Sequence, residues 1–190
     1  DLSPRGKSVS ILFGDGAAAC LVQKVDESSS QKLGIIKDIT LHSDGSLAKL
    51  LWCPAPGTGF TTEQRIDRTM LEEAMHYPHM DGRQVYSYAL KHMEGTVRDL
   101  CQRNALQVSE LDQIFFHQAN LRINEKVAER LELKESVAYN TISDFANTTA
   151  ATIPLGMASA YDNGVLKRGQ KIALVAFGSG FHWGGILIDW

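Results

Sequence analysis

The stretch that decides the fold is "IFFHQANLRINEKVAERL", which runs from Ile114 to Leu131. Its first residues form a short apolar run, which is typical of a buried strand. Ile123, Val127 and Leu131 then recur at helical spacing and predict an amphipathic helix. His117 therefore lies at the carboxyl end of a strand, the edge at which open α/β sheets bind ligands. This position makes His117 a candidate site residue whose partners must come from elsewhere in the chain.

The flanking sequence predicts further strands and a long helix. Alternating and β-branched residues indicate two strands, at Ala17–Val25 and Ile35–His42, which we expect to pair. A helical period runs from Gly82 to Asn104. Two β-rich runs, Lys171–Phe177 and Gly185–Trp190, flank a glycine-bearing turn and predict a hairpin. The apolar face of the long helix consists of Val85, Ala89, Met93, Val97 and Leu100.

The remaining segments complete an α/β pattern. The proline-rich stretch after the second strand reads as a loop with at most one short helix, at Thr62–His76. Val137–Asn140 predicts a strand, and a small-residue helix follows, capped by Thr148 or Thr149 and ending near Asn163. The order ββ, α, β, α, β, α, ββ predicts an α/β layered domain in which helices cover a mixed sheet.

Length and composition exclude several classes of protein. The 190 residues are 44% hydrophobic and 22% charged, which suits one globular domain. A net charge of -3 gives no overall basic field for nucleic acid. No apolar run reaches the roughly 20 residues of a membrane span, and the first ten residues lack the apolar centre of a signal peptide. Because an apolar stretch follows almost at once, the start looks like the interior of a longer protein.

The cysteines and histidines give no metal or disulfide pattern. Cys20, Cys53 and Cys101 are widely separated, so they predict neither a disulfide framework nor a zinc knuckle and fit a reducing cytoplasm. In "HYPH", the proline between His76 and His79 breaks the helix that would align them, and no ligand follows at metal-binding spacing. We expect no metal site. The glycine-rich "FGSGFHWGG" is followed by no helix, so it does not predict a dinucleotide site.

Three polar motifs fall at strand ends or turns: "HQAN" at His117–Asn120, "ANTT" at Ala146–Thr149 and "FGSG" at Phe177–Gly180. Together they can supply an imidazole, a carboxamide and a backbone N–H to one crevice, the groups needed to hold a negatively charged carbonyl oxygen. A helix cap beside Thr148 is an equally good interpretation of Asn147.

Five motifs carry a resemblance to a known family. "LFGDGAAACLV", "MDGRQVY", "FFHQANLRI", "ANTTAATIPL" and "FGSGFHWGGILIDW" occur in the order and at the spacing of the β-ketoacyl-acyl carrier protein synthase III family of thiolase-fold condensing enzymes. The resemblance covers essentially all of residues 1–190 but matches only the carboxyl-terminal half of that family's protein. It implies one half of a thiolase-like fold and an amino-terminal half, with the nucleophilic cysteine, that is absent from this chain.

The resemblance also implies roles for the site residues. His117 and Asn147 look like the histidine and asparagine of a Cys-His-Asn triad, and both would donate hydrogen bonds to the enolate formed by decarboxylation. Ser179 resembles a residue whose backbone N–H contributes to an oxyanion hole. None of the cysteines lies in the nucleophile's motif, and we expect Cys20 to be an inert thiol in a buried strand.

A substrate channel is implied as well. The residues that resemble its lining or its mouth are Gly82, Arg83, Tyr86, Asn120, Arg122 and Phe177. Arg122, Lys126 and Arg130 recur on one side of a helix, where a basic rim would attract an acidic carrier protein. Glu129 and Ser87 depart from that pattern, and an ordinary solvated helix face is the alternative interpretation.

The resemblance implies a ping-pong acyltransferase that condenses an acyl-CoA with malonyl-acyl carrier protein in fatty-acid or related acyl biosynthesis. Acyl-CoA and the phosphopantetheine of the carrier protein are substrates, and no further cofactor is expected. The expected partners are the carrier protein, the missing half and a second copy in a homodimer, in the cytoplasm, with no nucleic acid or membrane. This chain alone should be inactive. The alternatives are a relative that transfers acyl groups to another acceptor, and a non-catalytic partner subunit.

Overall fold

The computed structural model describes residues 11–24, 34–55, 68–73 and 75–190. The strands and helices of these residues are β1 (Ile35–Ser43), β2 (Leu51–Trp52), α1 (Arg68–Glu72), β3 (His79–Met80), α2 (Gly82–Arg103), β4 (Gln113–Phe116), α3 (Leu121–Arg130), α4 (Ile142–Phe145), α5 (Thr152–Asp162), β5 (Lys171–Gly178) and β6 (His182–Asp189). Short 3-10 helices lie at Gly45–Leu50, Val108–Glu110 and Thr149–Ala151. The predicted α/β class is confirmed.

Four of these strands form one mixed sheet in the order β1-β6-β5-β4. β4 runs parallel to β5, and β5, β6 and β1 are successively antiparallel. The predicted hairpin is confirmed, although β6 begins at His182 rather than at Gly185. The parallel pair matters for function because the carboxyl ends of β4 and β5 lie at the same edge of the sheet.

The side chains of β4 divide between two layers because successive residues of a strand point to opposite faces. Ile114 and Phe116 belong to the core cluster that contains the apolar face of α2. Phe115 belongs to the cluster on the other face, with Ala160 from α5. All four residues of β4 are buried. Helix α2 therefore packs on one face of the sheet, and α5 packs on the other face at β4.

The long helix α2 matches its prediction closely. Asp81 caps its amino end, and its carboxylate accepts the backbone N–H of Gln84 at 3.0 Å. The five residues of the predicted apolar face are all buried, and α2 packs against β5, β6 and α3. The apolar stripe explains why the sequence predicts the helix and its buried face, and the Asp81 cap, which the sequence analysis did not use, explains where the helix begins.

The predicted strand at Ala17–Val25 is wrong over the residues that the structure describes. Ala17–Lys24 contain no strand and are exposed, and Val25 lies outside the described residues. β1 pairs with β6 instead, so the expected pairing with this segment is also wrong. A strand needs a hydrogen-bonded neighbour, and apolar alternation alone does not supply one.

Three other segments differ in detail from their predictions. Val137–Asn140 forms only a single parallel bridge, between Ala138 and Ile114. Thr148 makes no side-chain cap, and α5 begins only at Thr152, because Thr149 has a φ of 56° that no α-helix tolerates. Within the predicted helix Thr62–His76, α1 is described, whereas residues 62–67 and 74 lie outside the described residues.

The described helices include none that is both long and apolar enough to cross a membrane.

Gly185, in the contact between β6 and α2, and Gly95, on the exposed face of α2, provide a matched test of this packing. An added Cβ at Gly185 would lie 2.7 Å from Thr96 Cγ2 and 2.8 Å from Leu100 Cδ1, whereas at Gly95 it would meet nothing within 4 Å. We expect Gly185→Ala to lower the free energy of unfolding by about 1 to 3 kcal/mol through overpacking. Gly95→Ala should raise it by up to about 1 kcal/mol through better helix propensity. Urea denaturation of the full-length protein measures both changes. A Gly185→Ala variant with an unchanged free energy of unfolding would contradict this packing.

Candidate active site

The three polar motifs meet at one cavity of about 1250 Å³. His117 follows β4, Asn147 precedes the 3-10 turn before α5, and Ser179 lies in the turn between β5 and β6, and all three line this cavity. The sequence predicted that these residues would converge, and the structure brings them to the same site. Their chemical roles stay predictions.

The imidazole of His117 is held from one side. Its backbone N–H donates to Val175 O at 2.9 Å and extends the pairing of β4 with β5. Its Nδ1 lies 2.7 Å from the hydroxyl oxygen of Thr152 in α5. Among the described residues the structure records no partner for Nε2, so that nitrogen is left for a ligand in the cavity. Burial lowers the pKa of His117, which favours the neutral ring.

Asn147 is fixed through its backbone and its side chain. Its N–H donates to Leu12 O at 2.9 Å, and its carbonyl accepts the N–H of Gly14 at 3.1 Å. Its side-chain Oδ1 accepts the backbone N–H of Thr149 at 2.9 Å. The carboxamide oxygen is therefore occupied, and Nδ2 is the polar group that remains available to a ligand. The local turn explains why a capping interpretation and a functional one were equally good from the sequence.

The backbone on either side of Asn147 is strained. Ala146 and Thr149 both have a φ of 56°, a region that residues other than glycine rarely adopt and that is most costly for a β-branched residue. Glycine is required at Gly14, because an added Cβ would collide with the carbonyl oxygen of Phe145. The surrounding contacts thus impose a conformation at Asn147 that local preference alone would not produce.

Ser179 lines the cavity, and its side chain is hydrogen-bonded within the protein. Its hydroxyl donates to Leu51 O at 2.6 Å and is therefore occupied. Two hydrogen bonds, from Asp44 N to Phe181 O at 2.8 Å and from Phe181 N to Asp44 O at 2.9 Å, hold the same turn. This arrangement is compatible with the predicted oxyanion role of the Ser179 N–H, which stays a prediction.

The residues predicted to form the channel divide into two groups. Those that line the cavity are Gly82, Tyr86, Asn120 and Phe177. Asn120 also caps α3, where its Oδ1 accepts the backbone N–H of Arg122 at 3.0 Å. Arg83 and Arg122 lie outside the cavity lining and are exposed in the first turns of α2 and α3. The two arginines are therefore placed to contact only the outer part of a bound molecule.

The predicted basic stripe on α3 is partly neutralised. Lys126 Nζ lies 2.6 Å from a carboxylate oxygen of Glu129. Arg130 lies 3.5 Å from a carboxylate oxygen of Glu94 in α2. Both pairs are between partly exposed side chains, which limits their strength. The positive field at this helix is weaker than the count of basic residues suggests.

A buried amide network beside His117 was missed by the sequence analysis. Gln118 donates through Nε2 to Phe116 O at 2.9 Å and accepts the backbone N–H of Thr141 at 3.1 Å. Asn124 from α3 donates to the side-chain oxygen of Asn140 at 2.9 Å. These contacts fix the turn that carries His117. The position of Gln118 directly after the histidine was the available signal.

None of the three cysteines has a recorded hydrogen bond with His117. Cys20 is exposed and lies outside any strand, so its expected position in a buried strand is wrong, whereas its expected inertness stays a prediction. Cys53 lines the cavity, but its thiol donates to Ala55 O at 3.2 Å. Cys101 is buried in α2, where burial raises the pKa of its thiol. The described residues contain no cluster of three or more histidine, cysteine, aspartate or glutamate side chains that could hold a metal.

Residues 101–190 match the family described as 3-oxoacyl-[acyl-carrier-protein (ACP)] synthase III C terminal. The β-ketoacyl-[acyl-carrier-protein] synthase III of Campylobacter fetus is 36% identical over 182 residues, which are 96% of this chain and 52% of that protein. The same enzyme of Chlorobium phaeobacteroides is 36% identical over 186 residues, which are 97% of this chain and 54% of that protein. The chain spans about half the length of the curated relatives it matches.

Solved structures show the same relationship. The 3-oxoacyl-(acyl carrier protein) synthase III of Pseudomonas aeruginosa PAO1 superposes with a TM-score of 0.70 and 33% identity, over 82% of this chain and 44% of that one. The synthase III of Thermus thermophilus gives a TM-score of 0.80 and 28% identity, over 97% of this chain and 53% of that one. These matches confirm the α/β, thiolase-like fold and that this chain corresponds to about half of it.

The burial of His117 predicts a pH dependence of stability. Because its pKa is lowered in the folded state, the unfolded chain binds more protons as the pH falls below the ordinary histidine value of about 6.5. The free energy of unfolding should therefore decrease as the pH falls from 7 to 5, and His117→Gln should make that decrease smaller. Urea denaturation at several pH values measures the difference. If the free energy of unfolding depended on pH in the same way in the two proteins, that result would contradict the burial of a neutral imidazole.

Proposed function

Because this chain matches the carboxyl-terminal half of the β-ketoacyl-acyl carrier protein synthase III family, we propose that it is the carboxyl-terminal part of a decarboxylating acyltransferase. The proposed reaction condenses an acyl-CoA with malonyl-acyl carrier protein in fatty-acid or related acyl biosynthesis. The observation that carries the proposal is the placement of His117 and Asn147 on one cavity, each with one polar atom occupied and one available.

The proposed reaction has two stages. A cysteine thiolate attacks the acyl-CoA thioester, so that the acyl group moves to the cysteine sulfur and CoA leaves as a thiolate that takes a proton from water. Malonyl-acyl carrier protein then binds and loses carbon dioxide, and the electron pair of the broken C–C bond forms an enolate. The enolate carbon attacks the acyl thioester, and collapse of the tetrahedral adduct releases β-ketoacyl-acyl carrier protein and the cysteine thiolate. We propose that this cysteine belongs to a part of the protein outside this chain.

His117 and Asn147 would stabilise the enolate. Decarboxylation places negative charge on the thioester oxygen, and two fixed donors lower the energy of that charge in a dry site. The available atoms are His117 Nε2 and Asn147 Nδ2, since Nδ1 and Oδ1 are taken by Thr152 and Thr149. Fixed donors need no reorganisation when the charge develops. The backbone N–H of Ser179 is proposed to bind the oxygen of the acyl thioester in the same way.

The cavity would hold the pantetheine arm and the acyl chain. Its lining is largely apolar and includes Tyr86, Phe177 and the first turns of α2. Arg83 and Arg122, exposed at the starts of α2 and α3, would contact the phosphate end of the arm or the acidic carrier protein. The ion pairs of Lys126 and Arg130 leave these two arginines as the stronger candidates for that contact.

The partners expected of the whole protein are the segment that carries the nucleophile and a second copy. Apolar residues of α5 and of the 3-10 helix before it support an association there, because Ala150 is exposed and Ile153 and Met157 are only partly covered by the described residues. Ile39 and Leu41 of β1 are also exposed. Exposed apolar side chains grouped on one protein favour association. Residues 1–190 alone should be inactive. The cytoplasmic location, which was inferred from the separated cysteines, stays a prediction.

The test uses the full-length protein and separates the two stages. His117→Ala or Asn147→Ala should lower the rate of malonyl decarboxylation by about a hundredfold or more, because each removes a donor to the enolate. Acylation of the cysteine should fall far less. His79→Ala and Asn163→Ala, both exposed and outside the cavity, are matched controls that should behave as the unchanged protein. Release of labelled carbon dioxide and mass spectrometry of the acylated protein measure the two stages.

Equal losses of acylation and decarboxylation in His117→Ala and Asn147→Ala would contradict the proposal that both residues act mainly on decarboxylation. Acyl transfer to a different acceptor without carbon dioxide release would point to another acyltransferase of the family. A full-length protein that performs neither stage would point to a non-catalytic partner subunit.

A further inference from the structure

We propose that Thr152 is a positioning residue that keeps the proton of His117 on Nε2, by donating its own hydroxyl hydrogen to Nδ1. The inference rests on the proposed function, in which Nε2 must donate to the enolate oxygen. It concerns a residue of α5 that does not line the cavity and that the sequence marks only as part of a small-residue helix.

The Thr152 hydroxyl lies between two acceptors and has one hydrogen to give. Its oxygen is 2.7 Å from His117 Nδ1 and 3.0 Å from Thr149 O. If the hydrogen points to Nδ1, the neutral imidazole must carry its own hydrogen on Nε2. If it points to Thr149 O, then Nδ1 must donate to the hydroxyl and Nε2 becomes an acceptor. The direction of this single bond therefore decides what His117 offers to the cavity.

The first arrangement leaves no buried group without a partner. Thr149 O already accepts the backbone N–H of Thr152, so it keeps a hydrogen bond when the hydroxyl turns away. Nδ1 has only the hydroxyl as a recorded partner among the described residues. The 2.7 Å separation between Nδ1 and the hydroxyl oxygen fits a hydrogen bond in either direction. The contacts therefore allow donation to the imidazole, and the proposed function, in which Nε2 must donate, selects that direction.

Two features make the choice of tautomer matter. Burial lowers the pKa of His117, so at neutral pH the ring has one N–H rather than two. Thr152 is also buried, with 3% of its surface exposed, so bulk water does not compete for its hydroxyl. A neutral imidazole with the proton on Nδ1 would turn a lone pair toward the enolate oxygen and repel it. The direction of the Thr152 hydrogen bond thus decides whether the His117 ring stabilises or destabilises the enolate.

The same short segment orients the second donor. Thr149 donates its backbone N–H to Asn147 Oδ1, and its carbonyl accepts the backbone N–H of Thr152. Asn147 and His117 are therefore joined through Thr149 and Thr152 in one hydrogen-bonded chain. This connection gives a reason for the left-handed conformation of Thr149, which directs its N–H to one site residue and its carbonyl to the start of α5.

The test compares three variants of the full-length protein. Thr152→Val removes the hydroxyl and keeps the branched shape, and Thr152→Ser keeps the hydroxyl. Thr96→Val is the matched control, because Thr96 is equally buried in a helix and its hydroxyl donates to the carbonyl of His92 at 2.7 Å, outside the site. Nitrogen-15 NMR of the His117 ring at neutral pH reports which nitrogen carries the proton. Rates of decarboxylation and of cysteine acylation are measured in parallel, and urea denaturation confirms that each variant folds.

We expect the unchanged protein, Thr152→Ser and Thr96→Val to show the proton on Nε2. Thr152→Val should lose that preference and should lower decarboxylation by about tenfold, the effect of one hydrogen bond, with a smaller effect on acylation. A proton on Nδ1 in the unchanged protein, or the same tautomer and rate in Thr152→Val, would overturn the proposal. If Thr152 controls the tautomer but no variant decarboxylates malonyl thioesters, the proposed function fails and the positioning of His117 by Thr152 stands.

Discussion

The contact between His117 Nδ1 and the Thr152 hydroxyl, at 2.7 Å, connects the two elements on which the site depends. His117 continues β4 at the edge of the sheet, and Thr152 begins the helix α5 that packs against β4. The contact can form only if β4 is paired in register with β5 and α5 is packed against β4. The geometry of the site is therefore a consequence of the layered fold, because a shift of either element would separate the two side chains.

The two site residues are held in position by different kinds of backbone structure. His117 is placed by regular structure, since its N–H extends the ladder between β4 and β5. Asn147 is placed by irregular structure, since it lies between positive φ angles at Ala146 and Thr149 and its own backbone is hydrogen-bonded to Leu12 and Gly14. Rigid, partly strained backbone around a polar side chain is typical of functional sites, where orientation matters more than local stability. The apolar cavity beside both residues adds the low dielectric that strengthens their hydrogen bonds.

The sequence predicted the parts of the fold that follow from periodicity. The stripe of α2 and the apolar run of β4 are patterns that burial imposes on sequence, so both could be read directly. The exposed segment Ala17–Lys24 shows the opposite case, because its apolar alternation resembled a strand while pairing depends on a neighbour. His117 and Asn147 were found from position and motif. Thr152 and Gln118 were not, because their importance arises from contacts 35 and 23 residues away along the chain.

The central claim is that His117 and Asn147 form a two-donor site for a thioester oxygen. A crystal structure of the full-length protein with a non-hydrolysable malonyl thioester analogue tests it most directly. The account predicts that the thioester oxygen lies at hydrogen-bond distance, about 2.7 to 3.2 Å, from both His117 Nε2 and Asn147 Nδ2. A thioester oxygen bound by other donors, with either atom facing away from it, would contradict the account.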